Sequence, residues 1–163
     1  MASAIHAFLA ADHDRLDSLL GRLGAEPLDL AAYTELRAGL LRHIAMEEKV
    51  LFSDARARRG GTPLPIVARL HADHAALASL LVPSPTLELL RTMRAILDEH
   101  NPLEEREHGL YEACEELAGE HVPELLSRMH AIAAVRVSAH VDEPRIHEHI
   151  ARMLAARLTT KTT

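Results

Sequence analysis

The sequence predicts an all-α fold, an antiparallel up-down four-helix bundle over residues 1–118 with additional C-terminal helices in 119–163. Three observations lead there. Hydrophobic residues make up 48% of the 163-residue chain but aromatic residues only 2%, so the core must be built from Leu, Ala, Ile, Val and Met, which suit helices better than sheets. Apolar residues recur at intervals of three and four in four successive segments. Short Gly- and Pro-containing stretches separate those segments, and connections of that kind join neighbouring antiparallel helices.

The first segment carries Ile5, Leu9, Leu16, Leu20 and Leu23 and closes at Gly21, Gly24 and Pro27; His13 lies on the same stripe. The second runs from Asp29 through Leu36, Leu40, His43, Glu47, Val50 and Leu51 to about Arg58, before Gly60-Gly61-Thr62-Pro63. His43 and Glu47, four residues apart, stand one turn above each other, and the flanking leucines aim them inward. Taken alone, such a pair is weak evidence and fits better as a partly exposed His and Glu supporting an ordinary amphipathic helix. The third segment starts near Pro63 or Pro65 and carries Val67, Leu70, His71, His74, Leu77 and Leu81 up to Pro83 and Pro85. His71 and His74 share a face, with His74 better centred between Leu70 and Leu77.

The fourth segment follows Thr86 with Leu90, Met93, Leu97, His100, Glu104, His108 and Tyr111. Asn101-Pro102 in mid-pattern predicts a kink or a restart, because proline lacks the backbone donor. His100 and Glu104 repeat the spacing of His43 and Glu47, and an unbroken helix brings Glu104 inward rather than Glu105. Beyond Gly119, two further helices are expected, over about 123–140 and 144–158, with Pro123 and Pro144 in their first turns and Asp142 available as a cap. Their histidines, His121, His130, His140, His147 and His149, lack a regularly spaced carboxylate and read as surface residues. The stripe Leu125, Leu126, Met129, Ile132 and Val135 needs a surface to cover it, the bundle or a second copy of the chain. Residues 159–163 are expected to fray.

Composition narrows the function classes. Asp+Glu 24 against Lys+Arg 18 leaves a formal charge of -6 and no basic patch for nucleic acid. No run of ~20 uncharged apolar residues is present, so no membrane span is expected. Asp12 and Asp14 interrupt the apolar run that a signal peptide would need, and Cys114 has no partner for an internal disulfide; a reducing, cytoplasmic setting is the expectation. The 12 histidines are the informative excess.

Every helix of the expected bundle offers at least one inward donor: His13; His43 and Glu47; His71 and His74; His100 and Glu104. Burying several imidazoles and two carboxylates without partners would cost several kcal/mol, so a cation between them is implied. Two carboxylates able to bridge, with imidazoles beside each, meet the needs of a dinuclear site, and the nitrogen-rich shell favours iron, zinc or copper over calcium or magnesium.

Asp12-His13-Asp14-Arg15-Leu16, His43 through Phe52, Leu70 through Leu77, and His100 through Glu105 with Leu110-Tyr111 follow one another in an order that resembles the hemerythrin-like, HHE cation-binding family over residues 3 to about 118. The resemblance implies a four-helix bundle with a non-haem di-iron centre, ligated at His13, His43, Glu47, His74, His100 and Glu104, with His71 a further candidate. Its third helix has H-x-x-H where oxygen-carrying hemerythrins have H-x-x-x-H. The implied function is to bind, sense or handle O2, nitric oxide or peroxide. A di-iron peroxidase or catalase-like enzyme and a structural zinc or mononuclear metal-binding bundle are the alternatives. A homodimer through the C-terminal helices is a further expectation.

Overall fold

A computed structural model describes residues 3–161. It is all-helical, with no strand among the described residues. The helices are α1 (Ala4–Gly21), α2 (Leu30–Met46), α3 (Phe52–Arg58), α4 (Val67–Leu80), α5 (Leu87–Glu105), α6 (Leu110–Ala118), α7 (Val122–His130) and α8 (Pro144–Lys161). A π-helical turn, Glu47–Leu51, joins α2 to α3 without a break.

Local chemistry sets the helix starts. Ser3, Asp29 and Thr86 accept from the backbone N–H three residues on and so cap α1, α2 and α5. Pro63 and Pro65 precede α4 instead of opening it, and Ile66 provides its first flank.

Two apolar clusters build the core. One contains Leu16, Leu20, Leu36, Leu40, Leu77, Leu80, Met93 and Ile96; the other contains Ile5, Leu9, Met46, Leu51, Leu70 and Leu110. Leu9 and Leu16 lie in opposite clusters, as do Leu40 and Met46, and Leu70 and Leu77. Each pair brackets a histidine of the donor set, so α1, α2 and α4 run alternately up and down through one polar layer. α5 crosses the same layer from Ile96 to Leu103.

Several expectations are corrected. α5 continues through Pro102 to Glu105, because the bond that Pro102 cannot make would fall on Asp98, on the solvent face. The restart comes later, at Leu110, after a turn through Gly109. The helix expected over 123–140 ends at His130. From there an extended strap runs to Glu143, its carbonyls taken by arginines of α2: Arg42 donates to Ile132 and His130, and Arg37 to Ser138. Asp142 does not cap α8; its carboxylate accepts from the Ser84 N–H and hydroxyl and pins the strap to the α4–α5 corner. Thr159 and Thr160 are helical, whereas 162 and 163 lie outside the described residues. Leu125 and Met129 are buried in the second cluster and Ile150 of α8 in the first, with α8 lying along α4.

Candidate metal centre

His13 of α1, His43 of α2, Glu47 at the head of the π turn, His74 of α4, and His100 and Glu104 of α5 converge in the polar layer, all of them buried. They form two donor groups that share both carboxylates: His13, His43, Glu47 and Glu104; and Glu47, His74, His100 and Glu104. Within each group the donor atoms lie within 4.8 Å of one another. Glu47 sets Oε1 3.3 Å from His43 Nε2 and Oε2 3.1 Å from His74 Nε2. Glu104 sets Oε2 3.4 Å from His13 Nε2 and Oε1 3.1 Å from His100 Nε2. Each imidazole thus faces its own oxygen of a carboxylate spanning both groups.

The outer nitrogens are equally ordered. His43 Nδ1 meets Asp12 at 2.9 Å, His74 Nδ1 meets Glu48 at 2.7 Å, His100 Nδ1 meets Asp73 at 3.2 Å, and His13 Nδ1 meets Glu105 at 2.5 Å. Each carboxylate comes from the helix before, so the supports close a ring from α1 to α2, α4, α5 and back. An ionised carboxylate only accepts, so a neutral imidazole must donate from Nδ1 and keep its Nε2 lone pair turned inward, as a metal ligand requires. All four acids lie inside the sequence motifs, but their spacing there does not reveal that they support imidazoles of other helices. Their signal is a repeat: Asp12-His13 then His43-x-x-x-Glu47-Glu48, and again Asp73-His74 then His100-x-x-x-Glu104-Glu105.

Tyr111 breaks this twofold pattern. Its buried hydroxyl lies 2.7 Å from Glu47 Oε1, 3.1 Å from Glu104 Oε2 and 3.2 Å from His13 Nε2, all within the first donor group. On the opposite side of the layer, a cavity of about 30 Å³ touches His13, His43, His74 and His100 and is otherwise lined mainly by Leu16, Leu40, Ile44, Leu77 and Leu97.

The electrostatics call for cations. Burial lowers the affinity of His43, His74 and His100 for a proton, but the facing carboxylates outweigh it and raise them to about 9, about 10 and about 9. His13 is raised for the same reason, with Glu104 and Glu105 overcoming burial. Burial pushes Glu47 up, yet His43 and His74 hold it well below the usual carboxylate range. Tyr111 is driven well above its ordinary value by burial and by Glu104 and Glu47. Even so, His43 Nε2, Glu47 Oε2, His74 Nε2 and Glu104 Oε1 are buried without a hydrogen-bond partner. Such atoms cost about 1–3 kcal/mol each, and a pair of cations between them would satisfy all four. The donor set fits a metal pair.

His71, expected alongside His74, lies outside both groups. Its side chain is 55% exposed and its Nδ1 meets Glu48. Three residues on a helix amount to 300° of rotation, and the offset that leaves His74 inward turns His71 to the surface. The tail histidines His121, His130, His140, His147 and His149 are all exposed and away from the centre. Glu105 supports His13, leaving Glu104 in the donor groups.

A helical bundle with buried imidazoles around two shared carboxylates defines a metal-binding class of protein. Residues 4–124 match the model of the hemerythrin HHE cation-binding domain, and the chain belongs to that family. No match is found among curated proteins or solved structures. No helix among the described residues is long and apolar enough to cross a membrane.

Proposed function

We propose that the chain holds two iron ions and binds a diatomic molecule or peroxide there; His13 and His43 would hold one ion, His74 and His100 the other, and Glu47 and Glu104, common to both donor groups, would serve both. The observation that carries this reading is the one-to-one pairing of four inward Nε2 atoms with the four oxygens of two shared carboxylates. Each position draws two imidazoles and two carboxylate oxygens from the protein. Four ligands complete the tetrahedral shell that zinc takes in structural sites, whereas a six-coordinate ion keeps positions open. Bound iron would supply redox-active Lewis-acid positions for a small ligand.

The chain's own residues do the rest. The Asp12, Glu48, Asp73 and Glu105 ring orients the imidazoles. The cavity, lined by leucines and by Asp17, Asp98 and Asn101, has room for something of the size of a few atoms beside the imidazoles. Tyr111 places a hydroxyl donor beside the first group, on the far side of the layer from the cavity. Metal analysis of protein expressed in iron-supplemented medium tests the reading. About two irons per chain, with an absorption spectrum that changes on exposure to nitric oxide, is the expected result. A single ion per chain, or zinc retained in preference to iron with no spectral response, would overturn it in favour of a structural site.

A further inference from the structure

We infer that Arg157, on the C-terminal helix beyond the stretch that matches the family, is a positioning residue for the metal position formed by His74 and His100. The inference rests on the metal-binding reading above. Among the four supporting carboxylates, Asp12, Glu48 and Glu105 have side chains 14%, 22% and 33% exposed, whereas Asp73 is 0% exposed. α8 seals it. Arg157 is itself buried, with Nε 2.7 Å from Asp73 Oδ1 at an angle that makes an ion pair and not an aligned hydrogen bond. Its NH2 group donates to Glu99 of α5, which Lys161 also reaches.

The consequence concerns orientation. Arg69, one turn before Asp73 on α4, has Nε 3.2 and 3.1 Å from the two Asp73 oxygens and competes with His100 for them. Arg157 occupies Oδ1 and leaves Oδ2 facing His100 Nδ1 at 3.2 Å. Without it, Asp73 is free to turn to Arg69, and His100 loses the partner that fixes its tautomer and ring plane. Asp12 and Glu105, which support His43 and His13, pair with those imidazoles and, for Asp12, with Arg15 of α1, so Arg157 bears on the His74–His100 position. The segment after residue 143 therefore belongs to the metal centre as well as to the packing.

Anaerobic cobalt(II) titration of the full metal-free chain, followed by absorption, tests this. Wild type takes up two equivalents. Arg157→Met should weaken one equivalent by about 10–100-fold and leave the other unchanged, the range typical of lost outer-shell support. Arg157→Lys keeps a charge but not the lateral Nε contact and should weaken the same equivalent, so the inference stays testable if the methionine variant does not fold. Ile150→Ala loosens α8 packing without touching Asp73 and should retain both equivalents. In the Arg157→Met, Asp73→Asn double variant, the loss should equal that of Asp73→Asn alone, because Arg157 acts through Asp73. Wild-type affinity for both equivalents in any folded Arg157 variant would overturn the inference. So would equal weakening in Ile150→Ala, or additive losses in the double variant. Wild type that takes up fewer than two equivalents would instead overturn the reading of the site, and this inference with it.

Discussion

Glu104 and Glu105 are neighbours with different duties, and the difference follows from rotation about one helix. Glu104 is four residues after His100 and shares its inward face, while Glu105 is turned about 100° further and reaches His13 across the α1–α5 seam. Glu104→Gln should therefore lose metal from both positions, because it removes a shared charge. Glu105→Gln should keep two ions per chain, with affinity at the His13 position lowered about 10–100-fold. Metal content and competition with a chelator measure both, and the reverse order would imply a different register at Pro102. Tyr111→Phe should keep the fold. It removes the single O–H that Glu47 Oε1 and Glu104 Oε2 share and should lower the stability of the metal-free protein by about 1–3 kcal/mol, read from denaturant midpoints.

Between α5 and α6 a short turn interrupts the helix, and this corner is where an element determines the site. Gly109 packs against the last carbonyls of α5: a Cβ there would lie 2.7 Å from the oxygens of Arg106 and Glu104. Glu104 lies just before the corner and Tyr111 just after it. Gly109→Ala should separate the two and cost on the order of 1–3 kcal/mol, with weaker metal binding measured in the same samples. An unchanged melting temperature and unchanged metal content would refute this account of the corner. The π turn at Glu47–Leu51 works in a related way. It begins at the residue that faces His43 and His74, and it also carries Glu48, which supports His74. Such turns occur often at functional sites, where the local widening of the helix re-aims side chains.

On the scale of the molecule, protons and metal ions compete for one buried layer. His43, His74 and His100 hold protons more tightly when folded than the ordinary imidazole at about 6.5, having been raised to about 9, about 10 and about 9. A raised value means that the stabilisation is fully present below about pH 6.5 and is lost as pH climbs through 9 to 10. Glu47 and Glu104 are lowered, so their contribution is present above about 4.5 and is lost in acid. Metal-free protein should be most stable between those limits and melt at progressively lower temperature from pH 6.5 to 10. Metal-loaded protein should show the opposite trend through neutral pH, because binding displaces imidazole protons. Melting curves in chelator and in excess iron(II) decide it, and a flat metal-free profile above pH 6.5 would remove the electrostatic account of the layer.

What the sequence determined by itself lies along single helices. The 3.6-residue period sets which residues share a stripe, so the helical class, the inward placement of His13, His43, Glu47, His74, His100 and Glu104, and the choice of Glu104 over Glu105 were legible from spacing alone. Relations between helices were decided only by tertiary structure. Asp12 serves His43, 31 residues away, and Glu105 serves His13, 92 residues away; no periodicity encodes which stripes meet. The same holds for His71, whose small rotation from His74 places it in solvent once α3 and α4 have packed. It holds also for residues 131–140, where arginines of α2 capture the carbonyls that a helix would have used. Arg157 is the furthest case. It falls at helical spacing on the stripe of Ile150, Met153 and Leu154, which faces the core, but only the docking of that helix along α4 sets its guanidinium against Asp73, because a buried carboxylate between two imidazole-bearing helices needs a cation that those helices do not fully supply.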